Sequence, residues 1–247
     1  MRAYADSDKG LARESNQDSF LLEAKDDLLL AVVCDGVGGG NHGEEASQIT
    51  VNTLKEKFDD LDDFLDMVDM ESWLYTNIRK ANVLVYKKGS NNDEYQGMGT
   101  TLVGLLHSSF GNMVVNIGDS RAYTLDKEGN FSLLTKDHSY VQMLIDQGQI
   151  SQEEAKHHEK KHMITNAIGI GEKVEPDFYE LSGDVKSVLL CSDGLHDYVE
   201  EKEIVKIIKK NNLSLANKVK RLIDLANSKG GYDNITVILI DLEDEDE

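Results

Sequence analysis

Cysteine and proline are both scarce in this chain, which has two cysteines and one proline among its 247 residues. A small secreted protein held together by disulfides would carry more cysteines. Cys34 and Cys191 each end an apolar run with no basic surrounding, so each is predicted to be a small buried strand residue rather than a reactive thiol. Because no linker rich in Pro, Ser or Gly interrupts the chain, we expect one domain over residues 1–240 and an acidic tail over residues 241–247.

Long apolar runs and positive charge are also scarce. The longest apolar run, LLLAVVC at 28–34, falls far short of the ~20 residues that a membrane-spanning helix needs. The first ten residues contain no apolar core, so no signal peptide is expected. With 26 basic and 46 acidic residues, the net charge of −20 repels nucleic acids and anionic membranes. We therefore expect a cytoplasmic protein that neither enters a membrane nor binds nucleic acid.

Apolar runs bounded by Gly, Asn or Asp, many of them β-branched, predict strands over 19–23, 28–34, 100–107, 112–117, 121–126, 131–134, 187–191 and 235–242. Apolar residues at helical spacing predict helices over 44–58, within 62–88, and over 140–147, 152–158, 201–210 and 214–228. The strands follow one another through short turns, such as DKEGN at 126–130. This order favours antiparallel sheets covered by helices over a parallel βαβ sheet.

Two of the apolar runs end in the same way, in AVVCDGVGGG and in VLLCSDGLHD. An aspartate beside a core costs free energy unless something pairs with its charge. The strand fixes the direction of the carboxylate, and the glycine permits a sharp turn and leaves its carbonyl open as a second oxygen ligand. The pairs Asp35–Gly36 and Asp193–Gly194 are therefore two candidate halves of a cation site. Further aspartates stand at strand ends, namely Asp18, Asp119 and Asp233.

No histidine or cysteine shares this pattern, and all-oxygen ligands favour Mg²⁺ or Mn²⁺ over Zn²⁺. A single Asp-Gly is more often an ordinary turn, but five aspartates beside apolar strands indicate a cation site. The glycine-rich GVGGGNHG lacks the GK[ST] ending of a phosphate-binding P-loop. His138 is interpreted as a turn residue and the HHEKKH segment at 157–162 as polar surface, with a catalytic base and a metal site as the less favoured alternatives.

Eight motifs, in order, resemble those of the PP2C-type metal-dependent protein serine/threonine phosphatases: GLARESNQD, CDGVGG, GMGTTLVG, NIGDSRAY, LTKDHS, ITNAIG, LLCSDGL and GGYDNITV. The resemblance runs from about residue 10 to 240, and GGGNHGEEAS is similar to the bacterial branch. It implies an α+β fold, a four-layer αββα sandwich of two antiparallel sheets flanked by helices. It also implies hydrolysis of phosphoserine and phosphothreonine by attack of a metal-activated water on phosphorus, in opposition to a bacterial serine/threonine kinase.

The resemblance implies a role for each strand-end aspartate in binding two Mg²⁺ or Mn²⁺ ions. Asp35 would bridge the two ions, and the Gly36 carbonyl would bind the second. Asp193 and Asp233 would hold the first ion, whereas Asp18 would act on the second ion through water.

The resemblance also implies a weaker third ion, held by Asp119 together with Asp193. Arg13 would bind the substrate phosphate through its forked guanidinium. Arg13, Asp35 and Asp193 are therefore the expected catalytic residues.

One position departs from the pattern of many eukaryotic relatives, which carry a histidine, proposed as the general acid, where this chain has Val37. We expect a metal-coordinated water, rather than His42, to protonate the leaving group. The polar stretch over 136–168 resembles a mobile flap in bacterial relatives and is expected to select substrates.

Two other functions remain open from the residues. A catalytically inactive regulatory module of the same fold would typically have lost metal ligands, and Asp35, Asp193 and Asp233 are all present. A nuclease-like phosphoesterase is disfavoured by the charge of −20. The expected partners are phosphorylated proteins and a cognate kinase, and the expected state is a monomer.

Overall fold

The computed structural model of the protein describes residues 1–38 and 42–243. Its strands are β1 (Arg2–Asp8), β2 (Ser19–Lys25), β3 (Leu28–Cys34), β4 (Gly36–Val37), β5 (Gly99–Thr100), β6 (Leu102–Ser108), β7 (Gly111–Ile117), β8 (Arg121–Asp126), β9 (Phe131–Leu133), β10 (Asp177–Glu180), β11 (Val185–Cys191) and β12 (Ile235–Asp241). Its helices are α1 (Gly43–Asp59), α2 (Met67–Asn91), α3 (Tyr140–Asp146), α4 (Gln152–Lys156), α5 (Asp193–His196), α6 (Glu201–Ile208) and α7 (Leu215–Ser228), with a short 3₁₀ helix at Asp93–Tyr95.

Two five-stranded antiparallel sheets form the centre of the fold. The first has the order β1-β12-β11-β8-β9, the second has the order β10-β7-β6-β3-β2, and β4 pairs with β5 separately. The inner faces of both sheets share one apolar core, which includes Val33 and Val103 of the second sheet and Leu190 and Ile238 of the first. Helices cover both outer faces, which confirms the predicted four-layer αββα sandwich.

Strand β3 shows why the central strands read as continuous apolar runs. Its seven residues are all buried, because one face of the strand meets the opposite sheet and the other meets α1 and α2. Leu29 and Ala31 belong to the core between the sheets, whereas Leu30 and Val32 belong to the core under the two helices. The chain leaves this strand at Cys34, so the position of Asp35 is set by packing on both faces.

The third core lies between the first sheet and helices α6 and α7. Helix α7 contributes Val219, Leu222, Ile223 and Ala226, which share one helical face as the periodicity predicts. The Ser214 side chain accepts a hydrogen bond from the Asn217 N–H and begins this helix.

The predicted strands over 28–34 and 121–126 coincide with β3 and β8, and the turn at 126–130 joins β8 to β9. Asp126 closes this turn by accepting a hydrogen bond from the Asn130 N–H at 2.7 Å. Strands β1, β4 and β10 and helix α5 were not predicted from the sequence, and the segment 62–88, predicted to contain one or two helices, holds most of the single long helix α2. Both cysteines are buried and free, as predicted.

Parts of two stretches named in the sequence lie outside the described residues, namely 39–41 within the glycine-rich GVGGGNHG and 244–247 at the end of the acidic tail. Asp241, at the start of the predicted tail, ends β12 and accepts a hydrogen bond from Arg2 at 3.0 Å. No helix in the described ranges is long and apolar enough to cross a membrane.

Candidate active site

The two Asp-Gly corners come from opposite sheets. Asp35 follows β3 of the second sheet, and Asp193 follows β11 of the first sheet by two residues and begins α5. Asp18, directly before β2, joins the two sheets through its Oδ2 atom. This atom accepts hydrogen bonds from Ser192 Oγ at 2.8 Å and from Thr236 Oγ1 at 2.7 Å, and both donors belong to the first sheet's side of the site. The carboxylates thus gather at one end of the sandwich, where strands of both sheets end.

Asp18 is almost fully buried, and its second carboxylate oxygen, Oδ1, has no hydrogen-bond partner among the described residues. Burial raises the pKa of Asp18 to about 6, although the hydroxyl groups of Thr236 and Ser192 oppose that rise. The charge of Asp233 raises the pKa of Asp18 further. The hydroxyl bonds fix one oxygen of the carboxylate and leave the other without a partner.

Asp35 and Asp193 have pKa values well above the ordinary value, first because of burial. The charges of Asp18, Asp119 and Asp233 raise both pKa values further, so all three carboxylates lie near Asp35 and Asp193. Asp193 Oδ1 is also buried without a hydrogen-bond partner among the described residues. The structure therefore brings the five predicted aspartates into one electrostatic cluster.

The glycines of the two corners are needed because other backbone segments approach them closely. A Cβ atom at Gly194 would lie 2.0 Å from the carbonyl oxygen of Asn234, and one at Gly36 would lie 2.3 Å from that of Gly43. Any side chain at either position would displace backbone next to the aspartates. The Asp-Gly pattern thus has a packing cause as well as the chemical one inferred from the sequence.

Arg13 lies at the mouth of the cluster, where half of its side chain is exposed. Its Nη2 atom donates to Asp233 Oδ2 at 2.7 Å. This hydrogen bond is the main cause of its raised pKa, and the charges of Asp193 and Asp35 contribute. The guanidinium therefore faces the same carboxylates that the sequence pattern selected.

Asn234 is a supporting residue that the sequence analysis missed. Its Oδ1 accepts from the Gln17 N–H at 2.8 Å, and its Nδ2 donates to the carbonyl oxygens of Lys9 at 2.8 Å and Ser15 at 3.0 Å. These bonds tie the segment that carries Arg13 and Asp18 to the start of β12. The feature of the sequence that could have identified Asn234 is its place directly after Asp233, at the beginning of a buried strand.

Asp119 lies in the turn between β7 and β8 and is buried. Burial raises the pKa of Asp119 to about 7, and the charge of Asp137 contributes. His196 Nε2 donates to the Asp119 carbonyl oxygen at 2.9 Å, and Asp137 forms a two-bond ion pair with Arg121. Asp119 therefore belongs to the cluster through a turn that α5 and the Arg121–Asp137 pair hold in place.

His138 lies in the segment over 136–168 that was predicted to be a flap, and it contacts the turn that carries Asp119. Its Nδ1 lies 3.3 Å from the Gly118 nitrogen and 2.9 Å from Asn166 Nδ2, and its Nε2 lies 3.0 Å from Asp177 Oδ2. These contacts hold His138 beside the Asp119 turn, and its role as a turn residue rather than a catalytic base stays a prediction.

The HHEKKH segment contacts the site region through Asp197, which follows α5. Lys161 Nζ lies 3.1 Å and His162 Nδ1 lies 3.5 Å from Asp197 Oδ2. Lys161 thus forms an ion pair with Asp197, and the prediction that this segment is a polar helix or loop rather than a metal site stays a prediction.

Within residues 1–38 and 42–243, no three Asp, Glu, His or Cys side chains already lie at the spacing that would hold one ion. The donor set nevertheless suits a hard divalent cation, because it consists of carboxylate and carbonyl oxygens. The buried oxygens Asp18 Oδ1 and Asp193 Oδ1, which lack partners among these residues, can bind such a cation. Small side-chain rotations are enough to change carboxylate spacing, so the residues present fit Mg²⁺ or Mn²⁺.

Comparison with known proteins agrees with this geometry. The model of the protein phosphatase 2C family matches residues 12–238. The serine/threonine phosphatase stp of Listeria welshimeri is 36% identical over 243 residues, which cover 98% of this chain and 96% of that protein. A crystal structure of a bacterial serine phosphatase covers 100% of both chains with 34% identity and a TM-score of 0.91. The catalytic domain of the serine threonine protein phosphatase PstP, solved with two manganese ions, covers 98% of both chains with 35% identity and a TM-score of 0.83.

Proposed function

The chain belongs to the protein phosphatase 2C family, and we propose that this serine/threonine protein phosphatase uses divalent cations, Mg²⁺ or Mn²⁺, held by its aspartate cluster. The observation that carries the proposal is the gathering of five aspartates from both sheets, with raised pKa values for four of them, beside Arg13. The four are Asp18, Asp35, Asp119 and Asp193.

In this proposal, Asp35 and the Gly36 carbonyl hold two cations together with Asp193 and Asp233. Asp18 acts on the second cation through water, and its hydroxyl donors keep it oriented. When bound, the cations would lower the pKa of a water ligand, so that it attacks phosphorus near neutral pH.

Arg13 would bind the phosphoryl group of the substrate. Its contact with Asp233 uses Nη2, and a guanidinium has further N–H groups that can donate to two phosphate oxygens. Those bonds would orient the phosphoryl group and stabilise its charge as the water attacks.

Replacing Arg13 with alanine is expected to raise KM for a phosphopeptide by about tenfold, because one charge-assisted phosphate contact of about 1.4 kcal/mol is lost in the ground state. Inhibition by inorganic phosphate should weaken by a similar factor. Steady-state kinetics of Arg13→Ala beside Arg79→Ala, an exposed arginine on α2, would test this. An unchanged KM in Arg13→Ala would remove the residue from phosphate binding.

Val37 leaves no imidazole after the first Asp-Gly corner. His42 packs with its ring centroid 5.0 Å from that of Tyr95, in an edge-on arrangement. We therefore propose that a water, rather than His42, supplies the proton to the leaving group.

Asp119 is proposed to hold a weaker third cation together with Asp193. Asp119→Ala should leave the two inner sites bound and the fold intact, but should lower kcat by about tenfold, or ~1.4 kcal/mol, if the third cation positions the protonating water. Calorimetric metal titration and single-turnover kinetics, with Asp224→Ala on the exposed face of α7 as control, test the assignment. Loss of a tight site would make Asp119 an inner ligand, and an unchanged chemical step would make the third cation a bystander.

The inactive regulatory module is the alternative function, and the presence of Asp35, Asp193 and Asp233 in one cluster argues against it. The test of the proposed function is phosphate release from a phosphothreonine peptide with added Mg²⁺ or Mn²⁺. Release from the peptide but not from DNA is expected, whereas no release from the peptide would favour the inactive module.

We also propose that the enzyme is a single-domain, cytoplasmic monomer that opposes a serine/threonine kinase. The family membership supports the phosphoprotein substrates. The net charge of −20 supports the absence of nucleic-acid partners.

A further inference from the structure

Two exposed apolar side chains belong to the chain segments that carry Arg13 and Asp233. Leu11 is 72% exposed and Tyr232 is 57% exposed, although both are residues that usually bury most of their surface. The Leu11 N–H donates to the Gly231 carbonyl oxygen at 2.8 Å. Leu11 lies two residues from Arg13, and Tyr232 directly precedes Asp233, the partner of Arg13. The two exposed residues therefore belong to the two segments that carry the Arg13–Asp233 pair, and a backbone hydrogen bond joins these segments.

A pair of glycines allows both side chains to lie against the backbone. A Cβ atom at Gly230 would lie 2.2 Å from Tyr232 Cε2, and one at Gly231 would lie 2.8 Å from Leu11 Cγ. Both glycines have positive φ, +130° and +53°, so other residues would also be strained there. The exposed side chains are thus held in defined positions, which lowers the entropy cost of binding a ligand on them.

Tyr198 extends this surface towards the aspartates. Its ring centroid lies 5.4 Å from that of Tyr232, with 41° between the ring planes. Burial raises the pKa of Tyr198, and the charges of Asp193 and Asp233 raise it further. The apolar ledge, defined as Leu11, Tyr198 and Tyr232, adjoins the aspartate cluster because Tyr232 contacts Tyr198 and directly precedes Asp233.

We propose that the apolar ledge binds a large apolar side chain one or two residues from the phosphorylated residue of the protein substrate. This inference rests on the proposed phosphatase function. With the phosphoryl group at Arg13, a neighbour in an extended peptide lies about 3.5–7 Å further along. Leu11 is two positions from Arg13 in the chain, and Tyr232 is next to Asp233. The ledge is therefore within the distance that one or two residues of the bound peptide span.

The chemistry of the ledge favours an apolar side chain over a basic one. Leu11 has no group that attracts a cation, and the positive charge of Arg13, two residues along the chain, repels one. Tyrosine rings bind aliphatic and aromatic side chains over large areas with little entropy loss. A lysine next to the phosphorylated residue would be attracted by the acidic protein as a whole, so it is the competing specificity that the experiment must separate.

The test compares three phosphothreonine peptides that differ only at the two positions on each side of the phosphothreonine, where they carry Gly, Leu or Lys. With Mn²⁺ added, kcat/KM for the Leu peptide should exceed that for the Gly peptide by roughly three- to tenfold, the size of an aromatic–apolar contact. Tyr232→Ala and Leu11→Ala should bring this ratio close to one. Tyr232→Phe should keep it, because the ring rather than the hydroxyl makes the contact. Tyr75→Ala, which removes an exposed tyrosine on α2, should keep it as well.

A Leu/Gly ratio near one in the unmodified enzyme would overturn the proposal. A Leu/Gly ratio in the Tyr232→Ala and Leu11→Ala double variant equal to that of the unmodified enzyme would also overturn it. A higher kcat/KM of the unmodified enzyme for the Lys peptide than for the Leu peptide would overturn it as well. Hydrolysis of all three peptides at one rate would reject the apolar ledge while leaving the phosphatase function in place. Hydrolysis of none would reject the phosphatase function on which the inference rests.

Discussion

Asp193→Asn is expected to lower kcat by at least about a thousandfold, or ~4 kcal/mol of transition-state stabilisation, while leaving the protein folded. The variant keeps the shape of the side chain but removes the charge that would bind a cation. Asp193 begins α5 two residues after the end of the central strand β11 and lies in range of the charges of Asp119, Asp233 and Asp18. Its carboxylate is therefore close enough to act with both proposed groups of cation ligands, Asp233 for the first ion and Asp119 for the third.

The fold should tolerate this variant because the charge of Asp193 is costly without a cation. Burial and neighbouring carboxylates raise the pKa of Asp193, so a neutral amide in its place removes repulsion from the metal-free protein. The metal-free variant should unfold at a temperature equal to or above that of the unmodified protein. Added Mn²⁺ should raise that temperature less than it does in the unmodified protein, since one ligand is missing.

The measurements are single-turnover kinetics on a phosphothreonine peptide and thermal unfolding with and without Mn²⁺. Asp224→Asn is the matched control, because it makes the same chemical change at an exposed position on α7. Near-normal kcat in Asp193→Asn with bound metal verified would show that the role assigned to Asp193 is wrong. A strongly destabilised variant would show that the carboxylate has a structural partner.

The central strands could be predicted from the sequence because both of their faces are buried. In β3, and in the last four residues of β11, this produces apolar runs with sharp ends, and the aspartates that follow were identified as candidates for that reason. Strand β1 was missed because it is an edge strand with alternating polar residues, RAYADSD, and pairs with β12 alone. Strand β10 is a four-residue edge strand, which is too short for a period to be recognised.

The supporting residues of the site could not be predicted, because their roles depend on partners that are distant in the chain. Ser192 and Thr236 look like ordinary strand-end residues, yet they donate to Asp18 across 174 and 218 positions of sequence. Asn234 holds the Arg13 segment from 219 positions away through Ser15. A single sequence contains no periodicity or spacing that links such residues, whereas the aspartates were visible because each follows or precedes a strand.

Removal of divalent cations is expected to abolish phosphopeptide hydrolysis and to lower the unfolding temperature. Without cations, the cluster contains buried carboxylates that repel one another, as the raised pKa values of Asp35 and Asp193 indicate. A cation that binds the folded state alone stabilises it by about 2.7 kcal/mol at a concentration one hundred times its Kd. Excess EDTA should therefore stop turnover, and Mg²⁺ or Mn²⁺ should restore both turnover and stability.

The same cluster predicts how the stability of the metal-free protein depends on pH. The pKa of Asp18 is raised to about 6 and that of Asp119 to about 7, whereas an unfolded aspartate has a pKa of about 3.9. Between these values the folded state binds more protons than the unfolded state, so metal-free stability should rise as the pH falls from about 7 towards 5. Cations compete with these protons for the carboxylates, so saturating Mg²⁺ should weaken or reverse the trend.

Two measurements test these predictions. Thermal unfolding at pH 7.5, 6.5 and 5.5, with EDTA or with Mg²⁺, measures how stability depends on cations and on pH. Phosphate release under the same conditions measures how turnover depends on cations. A variant with Asp62→Asn and Asp63→Asn removes two exposed carboxylates outside the cluster and controls for general relief of the −20 charge. The control should retain metal-dependent activity and most of the pH dependence.

Full phosphopeptide turnover in excess EDTA would refute the metal requirement. The opposite trend, in which the metal-free protein becomes less stable as the pH drops from 7.5 to 5.5, would contradict the pH prediction. It would show that the carboxylates of the cluster have partners in the folded protein that offset their charge without cations.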